Sequence, residues 1–237
     1  MKNLVIIPAW NEAESIEGVI AELRRDAPGF DFVVVNDGST DSTSNVCRRL
    51  GATVLDLPVN LGIGGAVQTG YIYALRHGYD TATQLDGDGQ HPASALPAML
   101  ECLRVEDADM VVGSRFIEKK GFQSVPLRRV GICFLSFWVK VLTGTTLTDT
   151  TSGLRMASRR LIRAFAEEYP NDYPEPESVV RALSLGAKIV EMSVEMRSRS
   201  AGQSSISMRK SLYYMVKVSA AMAMARFYNW KKKGLDK

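Results

Sequence analysis

A mostly parallel α/β sheet flanked by helices is what three features of this 237-residue chain predict. Short apolar, β-branched runs alternate with longer segments of helical period, the pattern of repeated βα units. Acidic and glycine-rich turns follow those runs, where a parallel sheet delivers its loops to one rim. The composition, 46% hydrophobic and 23% charged, is that of a folded globular chain and excludes disordered, collagen-like and disulfide-scaffold classes.

The elements follow in order. Leu4–Ile7, Phe32–Val35, Thr53–Leu55, Thr81–Leu85 and Met110–Val112 read as five buried strands. Ser15–Arg25 spaces Ile16, Val19, Ile20 and Leu23 at three and four, which makes a helix with one apolar face. Asp41 is the expected N-cap of a second helix running to Leu50. A third helix covers Gly65–His77 with Gly78 as its stop, and Pro92 opens a fourth that ends near Arg104. Val130–Leu142 is too long for a strand and too short to span a bilayer, so it reads as a buried or interfacial helix. Ala187–Val194 is a late strand, and Ser207 to about Trp230 is a last amphipathic helix. The expected organisation is one domain over 1–206 and a basic amphipathic helix and tail over 207–237.

The net charge of +3 is the sum of unlike pieces. From Arg197 onward there are ten basic residues and one acid, whereas residues 1–196 hold 19 basic and 25 acidic residues. An acidic body with a basic tail points the tail at an anionic surface or phosphate. Aromatic and basic residues share one amphipathic helix there instead of a flat platform, which argues against nucleic acid. Cys47, Cys102 and Cys133 form no C-x-x-C pair, which suggests neither a zinc site nor a disulfide framework and fits a reducing, cytoplasmic setting. The short run Leu4–Pro8 does not make a signal peptide, and no stretch reaches the ~18 apolar residues of a spanning helix.

The most informative segment is Gln84-Leu-Asp-Gly-Asp-Gly-Gln-His-Pro92, at the end of the fourth strand. In an extended backbone Asp86 and Asp88 share a face, so both can converge on one hard divalent cation, with Gln90 adding a neutral oxygen. Asp37 leaves the end of the second strand toward the same rim, and Pro8-Ala-Trp-Asn-Glu12 leaves the first. Trp10 supplies a ring able to cover a base. Asn60-Leu-Gly-Ile-Gly-Gly65 departs from G-x-G-x-x-G and follows the third strand instead of the first, which disfavours a dinucleotide-binding dehydrogenase. His77 and His91 lack the G-x-S-x-G or H-E-x-x-H context of a hydrolase.

Taken together, Ile-Ile-Pro-Ala-Trp-Asn-Glu (6–12), Val-Asn-Asp-Gly-Ser-Thr-Asp (35–41), Asn-Leu-Gly-Ile-Gly-Gly-Ala (60–66), Leu-Asp-Gly-Asp-Gly-Gln-His-Pro (85–92) and Gly-Ser-Arg-Phe (113–116) resemble, in this order, family 2 glycosyltransferases of the Rossmann-like GT-A fold. Asp149-Thr-Thr-Ser-Gly-Leu-Arg155 and Arg199-Ser-Ala-Gly-Gln-Ser resemble elements of the polyprenyl-phosphate group, the dolichol-phosphate mannose synthase type. The likeness runs from residue 4 to about 206. It implies that Pro8, Trp10, Asn11, Glu12 and Asp37 hold the nucleoside, and that Asp86, Asp88 and Gln90 bind Mg2+ or Mn2+ on the donor diphosphate. It also implies that Arg115, Arg129 and Arg199 face phosphates, with Asp88, Arg115 and Arg129 carrying the reaction. This chain has Trp10 where the family usually has Tyr, Leu154 where it has Phe, and Cys133 where Ser is frequent, so no acceptor role passes to Cys133.

The expected activity is transfer of a sugar from a nucleotide sugar, UDP-linked in preference to GDP-mannose, to undecaprenyl or another polyprenyl phosphate at the cytoplasmic membrane face. A small membrane-protein partner or a homo-oligomer stays open. The rival readings are a family 2 enzyme that glycosylates a cell-envelope polysaccharide hydroxyl, and a non-catalytic nucleotide-sugar-binding or membrane scaffold protein. A hydroxyl acceptor needs a base, for which Asp149, Glu175 and Glu177 are candidates.

Overall fold

The computed structural model describes residues 1–118, 121, 126–197 and 215–227. Among the described residues seven strands form one sheet: β1 (Asn3–Ala9), β2 (Asp31–Asn36), β3 (Thr53–Asp56), β4 (Thr81–Gln84), β5 (Met110–Ser114), β6 (Arg155–Ser158) and β7 (Ile189–Ser193). Their spatial order is β3-β2-β1-β4-β6-β5-β7. Only β6 runs against its neighbours, pairing antiparallel with β4 and β5. The register pairs Ala9 with Asn36 and Ile6 with Gln84, so β1, β2 and β4 release their carboxyl ends along one rim. β5 reaches that rim too. The reversed β6 begins there, with Arg155 opposite Gln84, which brings the preceding loop 148–154 into the site.

Alternation along β1 builds the two faces of the core. Val5 and Ile7 join α1 (Ile16–Asp26), α2 (Thr43–Arg49) and α4 (Leu96–Val105) on one side. Leu4 and Ile6 join α3 (Gly62–Arg76) and α6 (Arg159–Glu167) on the other. Tyr71, Phe165 and Tyr169 pack there with ring centroids 5.2–5.4 Å apart. Gly70 is required at the α3–β1 crossing, because a Cβ there would lie 2.2 Å from Ile6 Cγ2.

A third cluster joins α5 (Pro126–Thr143), α7 (Pro174–Ser184) and α8 (215–227) through Leu135, Val139, Val179, Val180, Val218 and Met222. Trp138 Nε1 donates to the Ser219 carbonyl at 3.1 Å, and Arg226 Nε to the Leu142 carbonyl at 2.9 Å. The described part of the C-terminal helix is thus seated on the body. The expected helix limits at Ser207 and Trp230 lie outside the described residues.

Three expectations change. Ser42, not Asp41, occupies the cap position of α2. The Asp41 carboxylate instead accepts from the Thr43 amide at 2.9 Å and the Ala13 amide at 3.1 Å, tying two turns together. β4 ends at Gln84, so Asp86 and Asp88 do not continue a strand, and Asp88 sits in a turn. β6 has no counterpart among the expected strands.

Candidate functional site

At the end of β1 the chain turns sharply: Asn11 adopts φ 56°, the left-handed region that Asn tolerates. Its Oδ1 accepts from the Thr40 amide at 2.8 Å and the Asp41 amide at 3.3 Å, while its own N–H donates to Ser39 Oγ at 2.9 Å. Asn11 therefore stitches the β1 exit to the β2 exit. Trp10, 55% exposed, projects from this turn, whereas Pro8 is buried within β1. The Glu12 carboxylate lies 2.7 Å from Ser15 Oγ, which is also 2.8 Å from the Gly87 carbonyl of the acidic loop.

Asp37 is buried, and its Oδ1 accepts from the Leu61 amide at 2.7 Å. Asn60 Nδ2 reaches the Asp37 carbonyl at 3.1 Å. Gly38, at φ +65°, admits this turn, since a Cβ would meet Asn60 N at 2.8 Å. Asp37 thus anchors the wall between β2 and α3.

The acidic loop is held from several directions. Asp86 Oδ1 accepts from Gln84 Nε2 at 3.1 Å, and Asp88 Oδ1 from the Gln90 amide at 3.0 Å. Gln90 Nε2 donates to the Arg197 carbonyl at 3.2 Å, joining the loop to the segment that leads toward Arg199. Arg199 itself lies outside the described residues. The Asp86 amide donates to Nδ1 of the buried His91 at 3.2 Å, which leaves the ring proton on Nε2, 3.9 Å from Asp86 Oδ2. Gly153 closes the other side: a Cβ there would fall 2.7 Å from Asp86 Oδ2 and 3.1 Å from His91 Cε1.

Among the described residues no group of three or more His, Cys, Asp or Glu side chains forms a metal cage. Two carboxylates and an amide at the mouth of a sheet instead suit an ion that takes its remaining ligands from water and a diphosphate, as Mg2+ and Mn2+ do. The cradle around Asp86, which any β-carbon at position 153 would invade, fits that use.

Arg115 leaves β5 almost fully buried and is clamped by Asp149, with Nε–Oδ2 and Nη2–Oδ1 both 2.7 Å. Thr151 Oγ1 accepts a further Arg115 N–H at 3.0 Å. Glu191 positions the clamp by accepting from the Thr148 amide at 2.7 Å and the Asp149 amide at 2.8 Å. Arg129 is exposed near the start of α5, with its guanidinium 5.8 Å from the Phe116 ring centroid. Arg155 is also buried, donating to the carbonyls of Ser152, Thr150 and Glu175 and to Ser178 Oγ. This fixes the 150–153 loop against α7. Burial pushes Glu177 up to about 7, with Asp172 adding to the rise and Lys217 opposing it.

The rim thus gathers Trp10, Asn11, Glu12, Asp37, Asp86, Asp88, Gln90 and Arg115, all foreseen from the sequence. Sequence reasoning missed His91, Gly153 and Asp149's role as the partner of Arg115. His91 stood beside the acidic pair but its contact needs the turn after β4, and the Asp149–Arg155 motif carried the other two, whose contacts cross to the loops after β4 and β5.

Residues 4–165 match the profile of Glycosyl transferase family 2. An undecaprenyl-phosphate mannosyltransferase of Micrococcus luteus is 33% identical over 216 residues, covering 87% of this chain and 88% of that protein. A polyprenol monophosphomannose synthase of Mycolicibacterium smegmatis is 26% identical, covering 87% and 81%. Glucosyl-3-phosphoglycerate synthase of Mycobacterium tuberculosis, solved with Mn2+, UDP and phosphoglyceric acid, superposes with a TM-score of 0.71 at 21% identity, covering 95% of this chain and 78% of that one. Family match, relatives and sheet agree that this chain belongs to glycosyl transferase family 2 and has the GT-A fold.

Proposed function

We propose that the protein transfers a hexose from a nucleoside-diphosphate sugar to a polyprenyl phosphate, with inversion, at the cytoplasmic face of a membrane. The observation that carries this reading is the clamp between Asp149 and Arg115. Of the three carboxylates considered as a base, Asp149 is fully buried and bound through both oxygens. Glu175 and Glu177 lie in the first turn of α7, and the charged neighbours that act on Glu177 are Asp172 and Lys217, not Asp86, Asp88 or Arg115. A phosphate acceptor is already ionised at neutral pH and needs no base, whereas a sugar hydroxyl does. The printed activities of the Micrococcus and Mycolicibacterium relatives support the same acceptor class.

In this mechanism Trp10 covers the base and the Asn11–Thr40 turn shapes the nucleoside wall. Asp86, Asp88 and Gln90 would hold Mg2+ or Mn2+, which supplies charge neutralisation to the leaving diphosphate. An acceptor phosphate oxygen attacks the anomeric carbon as the sugar's bond to the diphosphate breaks, so one C–O bond forms, one breaks and no proton moves. Arg115, pre-oriented by Asp149, binds phosphate oxygens without having to reorganise. Arg129 would complete the acceptor side, and Arg199 would close over the donor and acceptor phosphates.

Membrane docking has a surface to use. Val130, Phe134, Phe137 and Val141 are exposed along one face of α5, and Val216, Met224 and Phe227 along α8, with Lys140 and Lys217 beside them. An apolar face carrying lysines suits an anionic bilayer surface. Among the described residues no helix is long and apolar enough to cross a membrane.

The test is incubation with Mg2+ or Mn2+, undecaprenyl phosphate and a panel of UDP-sugars and GDP-mannose, followed by extraction of glycolipid. Asp88→Ala should abolish turnover with any acceptor, and Arg129→Ala should chiefly impair lipid use. Elongation of a saccharide with no lipid product would overturn the proposal.

A further inference from the structure

Gly113-Ser-Arg-Phe116 contributes Arg115, but Phe116 has no role in the chemistry so far. The geometry points to one: we propose that Phe116 is a positioning residue that holds Arg115 and Arg129 as a two-guanidinium clamp for the acceptor phosphate. This rests on the acceptor reading above. The Arg115 guanidinium carbon lies 5.3 Å from the Phe116 ring centroid and that of Arg129 5.8 Å. Both fall within the roughly 6 Å at which an aromatic quadrupole attracts a cation. These arginines come from different elements, one after β5 and one on α5, and the ring is their shared contact.

The physical need is plain. Two guanidinium groups gathered for one phosphate repel each other until the anion arrives, and long side chains lose rotamer freedom when ordered. Asp149 offsets the charge of Arg115 through two 2.7 Å contacts. Among the described residues no carboxylate forms an ion pair with Arg129, which is exposed and has the ring as its contact. The backbone that carries the ring is itself anchored. The Phe116 amide reaches Ser114 Oγ at 3.3 Å, and Ser114 Oγ lies 2.7 Å from Thr148 Oγ1. Thr148 is in turn held by Glu191, the carboxylate that positions Asp149. One anchored segment therefore sets both the carboxylate on Arg115 and the aromatic face beside Arg129.

Four variants of the full chain, Phe116→Leu, Phe116→Trp, Arg129→Ala and Phe116→Leu/Arg129→Ala, test this with undecaprenyl phosphate in detergent and the donor that wild type uses. Phe116→Leu keeps apolar bulk and removes the ring's quadrupole; it should raise the acceptor KM by about five- to tenfold, the scale of one or two cation–π contacts. Donor KM and Mn2+ binding should stay at wild-type values. Phe116→Trp, with a stronger aromatic face, should return the acceptor KM to within about twofold of wild type. In Phe116→Leu/Arg129→Ala the loss should be clearly smaller than the product of the single losses, because the two side chains act together. An unchanged acceptor KM for Phe116→Leu, equal loss from Leu and Trp, or multiplicative losses in the double variant would each overturn the clamp. Failure of wild type to make any lipid product would instead overturn the acceptor reading on which the clamp rests.

Discussion

Gly153→Ala gives the sharpest probe of the acidic loop, because the structure fixes what has to move. The new Cβ would lie 2.7 Å from Asp86 Oδ2, 3.2 Å from Oδ1 and 3.1 Å from His91 Cε1, where ordinary contact begins at 3.4 Å. His91 cannot yield easily, being buried and tied to the Asp86 amide at 3.2 Å. Nor can the 153 backbone, since Arg155 holds the neighbouring Ser152 and Thr150 carbonyls, each at 2.7 Å. The Asp86 carboxylate is left to retreat by about 0.7 Å, several times the ~0.2 Å tolerance of a metal–ligand distance. Overpacking of this kind costs about 1–3 kcal/mol in stability, so the fold survives. Mn2+ affinity should fall on the order of 10- to 100-fold, as when a group that orients a ligand is disturbed. The assay is Mn2+ titration by electron paramagnetic resonance with UDP present, alongside a thermal melt. Gly18→Ala is the control, because its Cβ meets nothing within 4 Å and its position lies inside α1. Wild-type Mn2+ affinity in Gly153→Ala would refute the claim that Asp86 holds the ion from this cradle.

Two further outcomes follow from buried charge. Glu177, raised from 4.5 to about 7, binds its proton more tightly folded than unfolded, so its contribution to stability is present below about pH 4.5 and is lost as pH rises toward 7. Glu177→Gln should therefore raise the melting temperature at pH 8 by a few degrees, about 2–4 °C per kcal/mol for a chain of this size, and change it little at pH 4.5; equal shifts at both would count against the assignment. Asp149→Asn strips the partner from a nearly buried guanidinium and should destabilise the protein by about 3 kcal/mol, read as a lowered denaturant midpoint. An unchanged midpoint would show that Arg115 does not depend on this carboxylate.

What could be foreseen and what could not divides along a physical line. Six strands, six helices and the acidic turns were legible because each depends on local pattern: apolar runs, helical spacing, and Asp or Gly where a strand stops. β6 was not, since Arg-Met-Ala-Ser has neither alternation nor a β-branched residue, and it is a strand because β4 and β5 hydrogen-bond it from both sides. The shared-face argument for Asp86 and Asp88 does not hold, because the strand ends two residues before Asp86; both residues reach the rim from the turn that follows β4 instead. His91 drew attention only as a hydrolase base. Its actual contact, the Asp86 amide five residues back, needs the turn to be built before it exists.

The reversed strand also gives the two halves of the proposed mechanism one support. Because β6 starts at the rim where the parallel strands end, the loop before it reaches both halves of the site. Asp149 grips Arg115 on the phosphate side, and four residues later Gly153 abuts the Asp86 carboxylate on the metal side. Arg155, buried and bonded to the carbonyls at 150 and 152, prevents the two ends of that loop from moving separately. A shift that opened the metal cradle would drag the Asp149 carboxylate and, with it, Arg115. In the proposed mechanism this one short segment would therefore position both the carboxylate that would hold the ion and the guanidinium that would bind phosphate.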